Sequence, residues 1–131
     1  MAEKRAVQTE AAPAPFRGAP YSQAIVAGGF VFVSGQVGMR PGETQVVSET
    51  VEEQTEQTFA NLRAVLEAAD SSLDRIVKTT VYLHDLSHFP TVNEVYGKWL
   101  GDARPARSTV QVTALPRGAL VEIDAVAVVS R

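Results

Sequence analysis

The sequence predicts a single α+β domain, a mixed sheet with two helices on one face. Three observations predict it. Short segments rich in β-branched and aromatic residues read as strands, and two longer stretches carry apolar residues at helical spacing. They interleave in the order β-β-α-β-α-β-β, which implies a layered fold. The length of 131 residues allows one domain, and a hydrophobic content of 45% supports a packed core.

Each element has its own signal. Residues 1–15, charged and then Ala/Pro-rich, are expected to be a flexible tail preceding a domain over 16–131. SQAIVAGGFVFVSGQ reads as two strands around a Gly28-Gly29 turn. GMRPGETQ is a loop, and Thr50 with Glu53 forms a capping-box pair. Behind it Val51, Thr55, Phe59, Leu62, Val65, Leu66 and Ala69 form one helical stripe, with Glu52, Glu56, Arg63 and Glu67 toward water. IVKTTVYLHD is strand-like, with Val77, Thr79, Val81 and Leu83 on one face and Lys78, Thr80, Tyr82 and His84 on the other. A second helix over about 88–100 carries Phe89, Val92, Tyr96, Trp99 and Leu100, and the last two strands flank the ALPRG turn.

Composition excludes several classes. With 12 basic against 15 acidic residues the net charge is -3, which does not favour a nucleic-acid partner. The absence of cysteine removes disulfides, thiolate zinc sites and a cysteine nucleophile. The start, MAEKRAVQTEAAPAPF, has no apolar leader, and no apolar run reaches membrane length, so a cytoplasmic location with no membrane partner is expected. His84 and His88 straddle a strand-helix junction and are not expected to hold a metal. Two helices cannot cover both faces of a five-strand sheet. The other face, with Phe30, Phe32, Thr80, Tyr82, Leu120 and Val126, is expected to be buried by self-association.

Two charges stand where strand alternation would place apolar residues. They are Arg107 in RPARSTVQV and Glu122 in ALVEIDAVAV. A charge inside a strand is costly unless paired, solvated or used. Ser108, Val110 and Val112, like Val121, Ile123 and Ala125, form the smoother apolar sets and are expected to face the helices. Arg107 and Glu122 then share the uncovered face. A hairpin about Pro116 and Arg117 would leave them roughly 13 Å apart along the strands, a gap a neighbouring subunit can close. Arg107 offers a planar fork for a carboxylate, and Glu122 can activate a water. The alternative is an intersubunit salt bridge.

Tyr21 could donate to a ligand or simply pack at a strand start. Ser34, before Gly35, sits where backbone N–H groups can meet an anion, though turn chemistry alone explains it. Asn93 reads as a helix-surface amide unless the fold turns it inward. Lys78 reads as a solvated or interface lysine rather than a Schiff base. Asp85, Glu94 and Asp102 show no carboxylate-dyad spacing.

GAPYSQAIVAGGFVFVSGQ, FANLRAVLEAA, IVKTTVYLHDL, VNEVYGKWL, RPARSTVQV and LPRGALVEIDAVAV together resemble the Rid family. This is the reactive intermediate imine/enamine deaminase family, also called YjgF and once grouped as endoribonuclease L-PSP. The resemblance runs from about Ala14 to Val128. It implies a chorismate-mutase-like α+β fold assembled as a homotrimer with ligand clefts between subunits. It implies hydrolysis of 2-aminoacrylate-type intermediates, through 2-iminopropanoate or 2-iminobutanoate, to 2-oxo acids and ammonia, with no cofactor and no metal. Arg107 would grip the substrate carboxylate and Glu122 would orient water, with Tyr21, Ser34, Gly35, Asn93 and Thr109 lining the cleft. Many members carry cysteine where this chain has Thr109, the N-terminal motif reads RGAPYSQ rather than IGPYSQ, and the GMRPGETQ loop is short. Two other readings share the resemblance: a Rid-fold enzyme on a pyrimidine-breakdown or aminomuconate-type intermediate, and a non-enzymatic trimeric binding or holdase protein. The acidic charge and the lack of a basic aromatic stripe give little support to the ribonuclease label.

Overall fold

The computed structural model describes residues 3–130. Along the chain run β1 (Lys4–Val7), β2 (Ala24–Ala27), β3 (Phe30–Val37), α1 (Val51–Ala68), β4 (Ile76–Leu83), α2 (Phe89–Leu100), β5 (Ala106–Gln111) and β6 (Val121–Val128). They build one sheet in the order β1-β2-β3-β6-β4-β5. Every pairing is antiparallel except β4–β5, which is parallel and is joined through α2. The architecture is α+β, as expected.

The local signals act as their chemistry dictates. Gly28 and Gly29 both take positive φ, 60° and 85°, the turn that lets β2 run straight back as β3. Thr50 caps α1, its hydroxyl accepting the Glu53 N–H at 3.3 Å. The buried stripe of α1 packs Phe59, Leu62, Val65 and Leu66 against Val31, Val81, Val121 and Ile123 of the sheet and against Val92 and Val95 of α2. Truncating one such large side chain costs about 3–5 kcal/mol.

A second set of buried α1 residues is polar. Asn61 donates to the carbonyls of Val37 and Met39 at 3.0 and 2.9 Å. Gln54 donates to Ser48 O and accepts the Leu120 N–H. These side chains supply hydrogen bonds to backbone at the end of β3 and in the segments leading into α1 and β6.

Four features differ from the sequence expectation. Part of the expected tail is strand: β1 pairs with β2 along residues 4–7. The segment after it is tied down by Gln23, which accepts from Thr9 N and donates to the carbonyls of Thr9, Ala12 and Pro13, while Val7 and Ala12 are buried. Val77 does not face the core. The β4–β6 register shifts between Ile76 and Lys78, so Ile76 is buried and Val77 is left exposed.

The last two strands are not neighbours, because β6 enters between β3 and β4 and leaves β5 at the edge. The face of β5 is also inverted. Arg107, Thr109 and Gln111 align with the buried residues Thr79, Val81 and Leu83, so they lie on the helix side. Ala106, Ser108 and Val110 lie on the open side. The apolar set could turn outward because an edge strand lies at the margin of the helix layer, where full burial is not enforced.

Candidate active site

Glu122 sits on the open face, opposite Val37 of β3 and Tyr82 of β4. It is half-buried and takes no hydrogen bond from the described residues. It borders a cavity of about 30 Å³ with Phe16, Tyr21, Gly35 and Met39, room for a water molecule. Gly35 makes that room. A Cβ there would stand 2.7 Å from Glu122 Cδ and closer still to its carboxylate oxygen. The β3–β6 register shift between Val33 and Gln36 brings this backbone against the side chain.

Burial pushes the Glu122 carboxyl above the usual glutamate range, and the charge of Asp124 adds to the effect. Asp124 lies two residues along the same face and accepts the Tyr82 hydroxyl at 3.0 Å. Burial, followed by that hydrogen bond, raises the Tyr82 phenol. The Tyr82 hydroxyl is thereby committed to Asp124, and the acceptor sites of Glu122 stay free for a ligand or water. Alternation of Glu122 and Asp124 in VEID was the signal for this second carboxylate; the partnership with Tyr82 needed the β4–β6 register.

Tyr21 and Ser34 join this side. Tyr21 is 46% exposed, and its hydroxyl accepts the Phe16 N–H at 3.2 Å. Ser34 Oγ donates to Ser22 O at 2.6 Å, and Ser34 N–H donates to Gln23 O at 2.9 Å. Ser34 therefore braces the segment carrying Tyr21, and its N–H, expected to be open to an anion, is already used. A groove of about 590 Å³ lies beyond Tyr21 between the N-terminal segment and Pro41–Gly42. Its lining holds one carboxylate, Glu10, and no cation; the chemistry gathers at Glu122 instead.

Arg107 lies on the other side of the sheet. Its guanidinium carbon is 5.3 Å from the Phe89 ring centroid and 4.7 Å from that of Tyr96. It makes no ion pair or hydrogen bond with the described residues; the pair found there joins Lys98 to Glu56. Thr109 follows on the same face of β5, and Asn93 shares the face of α2 that carries Phe89 and Tyr96. Arg107 aligns with Thr79, which aligns with Ala125, three residues from Glu122. Two strand spacings across and three residues along put the two Cα atoms about 14 Å apart, on opposite faces. The sequence expectation that they share a face fails, since β4 stands between them and β5 is inverted. One chain carries two candidate half-sites, a carboxylate with a water-sized cavity and a cation over two aromatic rings.

Among the described residues there is no cluster of His, Asp and Glu able to hold a metal ion, and no helix is long and apolar enough to cross a membrane.

The endoribonuclease L-PSP family model matches residues 9–129. The chain belongs to this family, known also as YjgF/Rid. It is 48% identical to the chloroplastic Reactive Intermediate Deaminase A of Arabidopsis thaliana, over 95% of this chain and 66% of that one. It is 42% identical to the 2-iminobutanoate/2-iminopropanoate deaminase of Homo sapiens, over 95% of this chain and 90% of that one. Among solved Rid-family structures, a Thermotoga maritima protein described as a putative endoribonuclease superposes with a TM-score of 0.90 at 46% identity, covering 97% of this chain and 98% of that one. Escherichia coli TdcF, solved with bound serine, superposes at 0.88 with 36% identity, covering 96% and 99%.

Proposed function

We propose that this Rid protein hydrolyses small 2-imino acids, of the 2-iminopropanoate and 2-iminobutanoate type, to 2-oxo acids and ammonia. The observation that carries the reading is the half-buried Glu122, which takes no hydrogen bond from the described residues, beside a cavity the size of one water. The relatives named as deaminases at 42% and 48% identity support the reaction class. The serine bound to TdcF is a small molecule with the carboxylate that an unpaired guanidinium such as Arg107 would grip.

The two half-sites work together only if a second chain supplies the missing one. The proposed assembly is a homotrimer whose clefts set Arg107 and Asn93 of one subunit against Glu122, Tyr21 and Gly35 of the next. The open face supports it, with Phe30 and Phe32 exposed by 40% and 47% beside Val126. In the cleft Arg107 holds the carboxylate and fixes the imine carbon. Water beside Glu122 adds to that carbon, its proton passing to Glu122. Glu122 passes that proton to the imine nitrogen, giving the neutral carbinolamine. The hydroxyl proton then moves through Glu122 to the amino group, the C–N bond breaks, and ammonia leaves as the carbonyl forms. Positioning and one general base account for about 10²–10⁴-fold over water.

The test couples the protein to a pyridoxal-phosphate serine/threonine dehydratase in the presence of semicarbazide, which traps free imine. Wild type speeds release of pyruvate or 2-oxobutyrate over the trap, and Arg107→Ala does not. Release that wild type leaves unchanged refutes the reading. Light scattering on the same sample reports whether three chains associate.

A further inference from the structure

Arg107 has no acid to hold it among the described residues, yet its guanidinium is not left to wander. Phe89 and Tyr96 are seven residues apart on α2, two helical turns, so their backbones are separated by about 10.5 Å along one face. The guanidinium carbon stands over both rings, 5.3 Å from the Phe89 centroid and 4.7 Å from that of Tyr96. Tyr96 is itself fixed. Its hydroxyl bonds Thr79 Oγ1 at 2.7 Å, and its ring meets Phe59 edge-on at 5.6 Å. Thr79 is fully buried and lies directly opposite Arg107 in the β4–β5 register. Thr79, Tyr96 and Arg107 thus form one connected unit, closed on the outer side by Phe89, which is 39% exposed.

We propose that Phe89 and Tyr96 are positioning residues that hold the Arg107 guanidinium by its faces, leaving its in-plane donors for a substrate carboxylate. The chemical reason is division of labour on one planar cation. Aromatic rings attract its faces through their quadrupole and take none of its N–H groups. A carboxylate partner would have held it as firmly while consuming the fork that a bidentate ligand needs. A pre-set fork loses less conformational freedom when the ligand arrives. The role of the fork rests on the function proposed above, whereas the slot itself does not.

The experiment therefore reads both. Phe89→Leu removes the outer ring at a partly exposed position. Tyr96→Leu removes the inner ring, and Tyr96→Phe keeps the ring and discards the hydroxyl. Binding of 2-oxobutyrate is measured by calorimetry, KM and kcat on the imine by the coupled assay, and Arg107 side-chain order by ¹⁵N relaxation at Nε. Phe89→Leu is expected to weaken 2-oxobutyrate binding and raise KM about tenfold, with kcat changed less than twofold and Nε relaxation showing a freed side chain. Tyr96→Phe stays within about threefold of wild type, while Tyr96→Leu follows Phe89→Leu. Unchanged Nε order in Phe89→Leu overturns the slot whether or not the protein binds 2-oxo acids. Freed Nε with unchanged KM overturns its positioning role. If wild type and Arg107→Ala bind 2-oxobutyrate equally, the fork's ligand is wrong, and the relaxation data alone decide the slot.

Discussion

Gly35→Ala is the sharpest probe of the Glu122 pocket. The new methyl would stand 2.7 Å from Glu122 Cδ. Carbon atoms in contact settle at about 3.5–4.0 Å, so the carboxylate must retreat by about 1 Å. Gly35 does not use the left-handed backbone region, so alanine adds no strain of its own. What must yield is the far end of a flexible side chain, at about 0.5–1.5 kcal/mol of rotamer strain, and the stiffer unfolded chain returns about 0.4–1 kcal/mol.

Stability should therefore change by less than about 1 kcal/mol. The reaction is less forgiving: displacing a positioned base by about 1 Å costs on the order of 10²-fold. Gly38→Ala is the matched control. Its methyl would meet the backbone of Gln54, Cα and O both at 2.6 Å, so α1 itself must move, at about 1–3 kcal/mol. Imine hydrolysis and thermal unfolding are measured on both variants. A Gly35→Ala protein that keeps activity within threefold, or loses as much stability as Gly38→Ala, refutes the reasoning.

The other predictions concern charge and buried amides. Burial and, secondarily, Asp124 raise the Glu122 carboxyl, so activity should fall on acidification from a higher pH than an ordinary glutamate would give. The native state then binds that proton more tightly than the unfolded chain, so stability is complete below the unfolded pKa and declines as pH rises through the folded one. Glu122→Gln should abolish this decline, raise the melting temperature near neutrality and lower the rate by about 10²–10³-fold, as read from melting curves across pH and from kcat. Glu56, lowered chiefly by the Trp99 hydrogen bond at 2.7 Å, has the opposite sign: its contribution is present above the ordinary glutamate pKa and lost as pH falls through the lowered one. In urea titrations Glu56→Ala should cost about 1–2 kcal/mol and Lys98→Ala under about 0.5 kcal/mol, since the Lys98 partnership is exposed. Asn61→Leu strands the Val37 and Met39 carbonyls and should cost about 2–3 kcal/mol by the same assay.

Periodicity and turn chemistry made most elements legible in the sequence. The α1 stripe, the Thr50 cap, the Gly28-Gly29 turn and the strand character of IVKTTVYL depend on neighbours within one or two turns of chain, and local rules reach that far. β1 was not legible. KRAV is charged and short, and what holds it is a ladder to β2, with the Gln23 side chain tying down the segment that follows. The bulge at Val77 was hidden for a similar reason, since a one-residue shift in register leaves no mark on composition.

Arg107 and Glu122 show where local reading ends. The sequence by itself determined that two opposite charges stand in strands, that Gly35 and Tyr21 belong to conspicuous motifs, and which family these motifs resemble. Alternation says that residues two apart share a face, but not which face, nor which strand lies beside which. Only the tertiary structure decided that β6 enters between β3 and β4, that β5 is an edge, and that its arginine turns toward α2. The physical reason is that strand order and facing are set by contacts between residues far apart in sequence. Alternation fixes facing only where one face of a strand is fully buried, and β5, at the sheet edge, has no fully buried residue on either face.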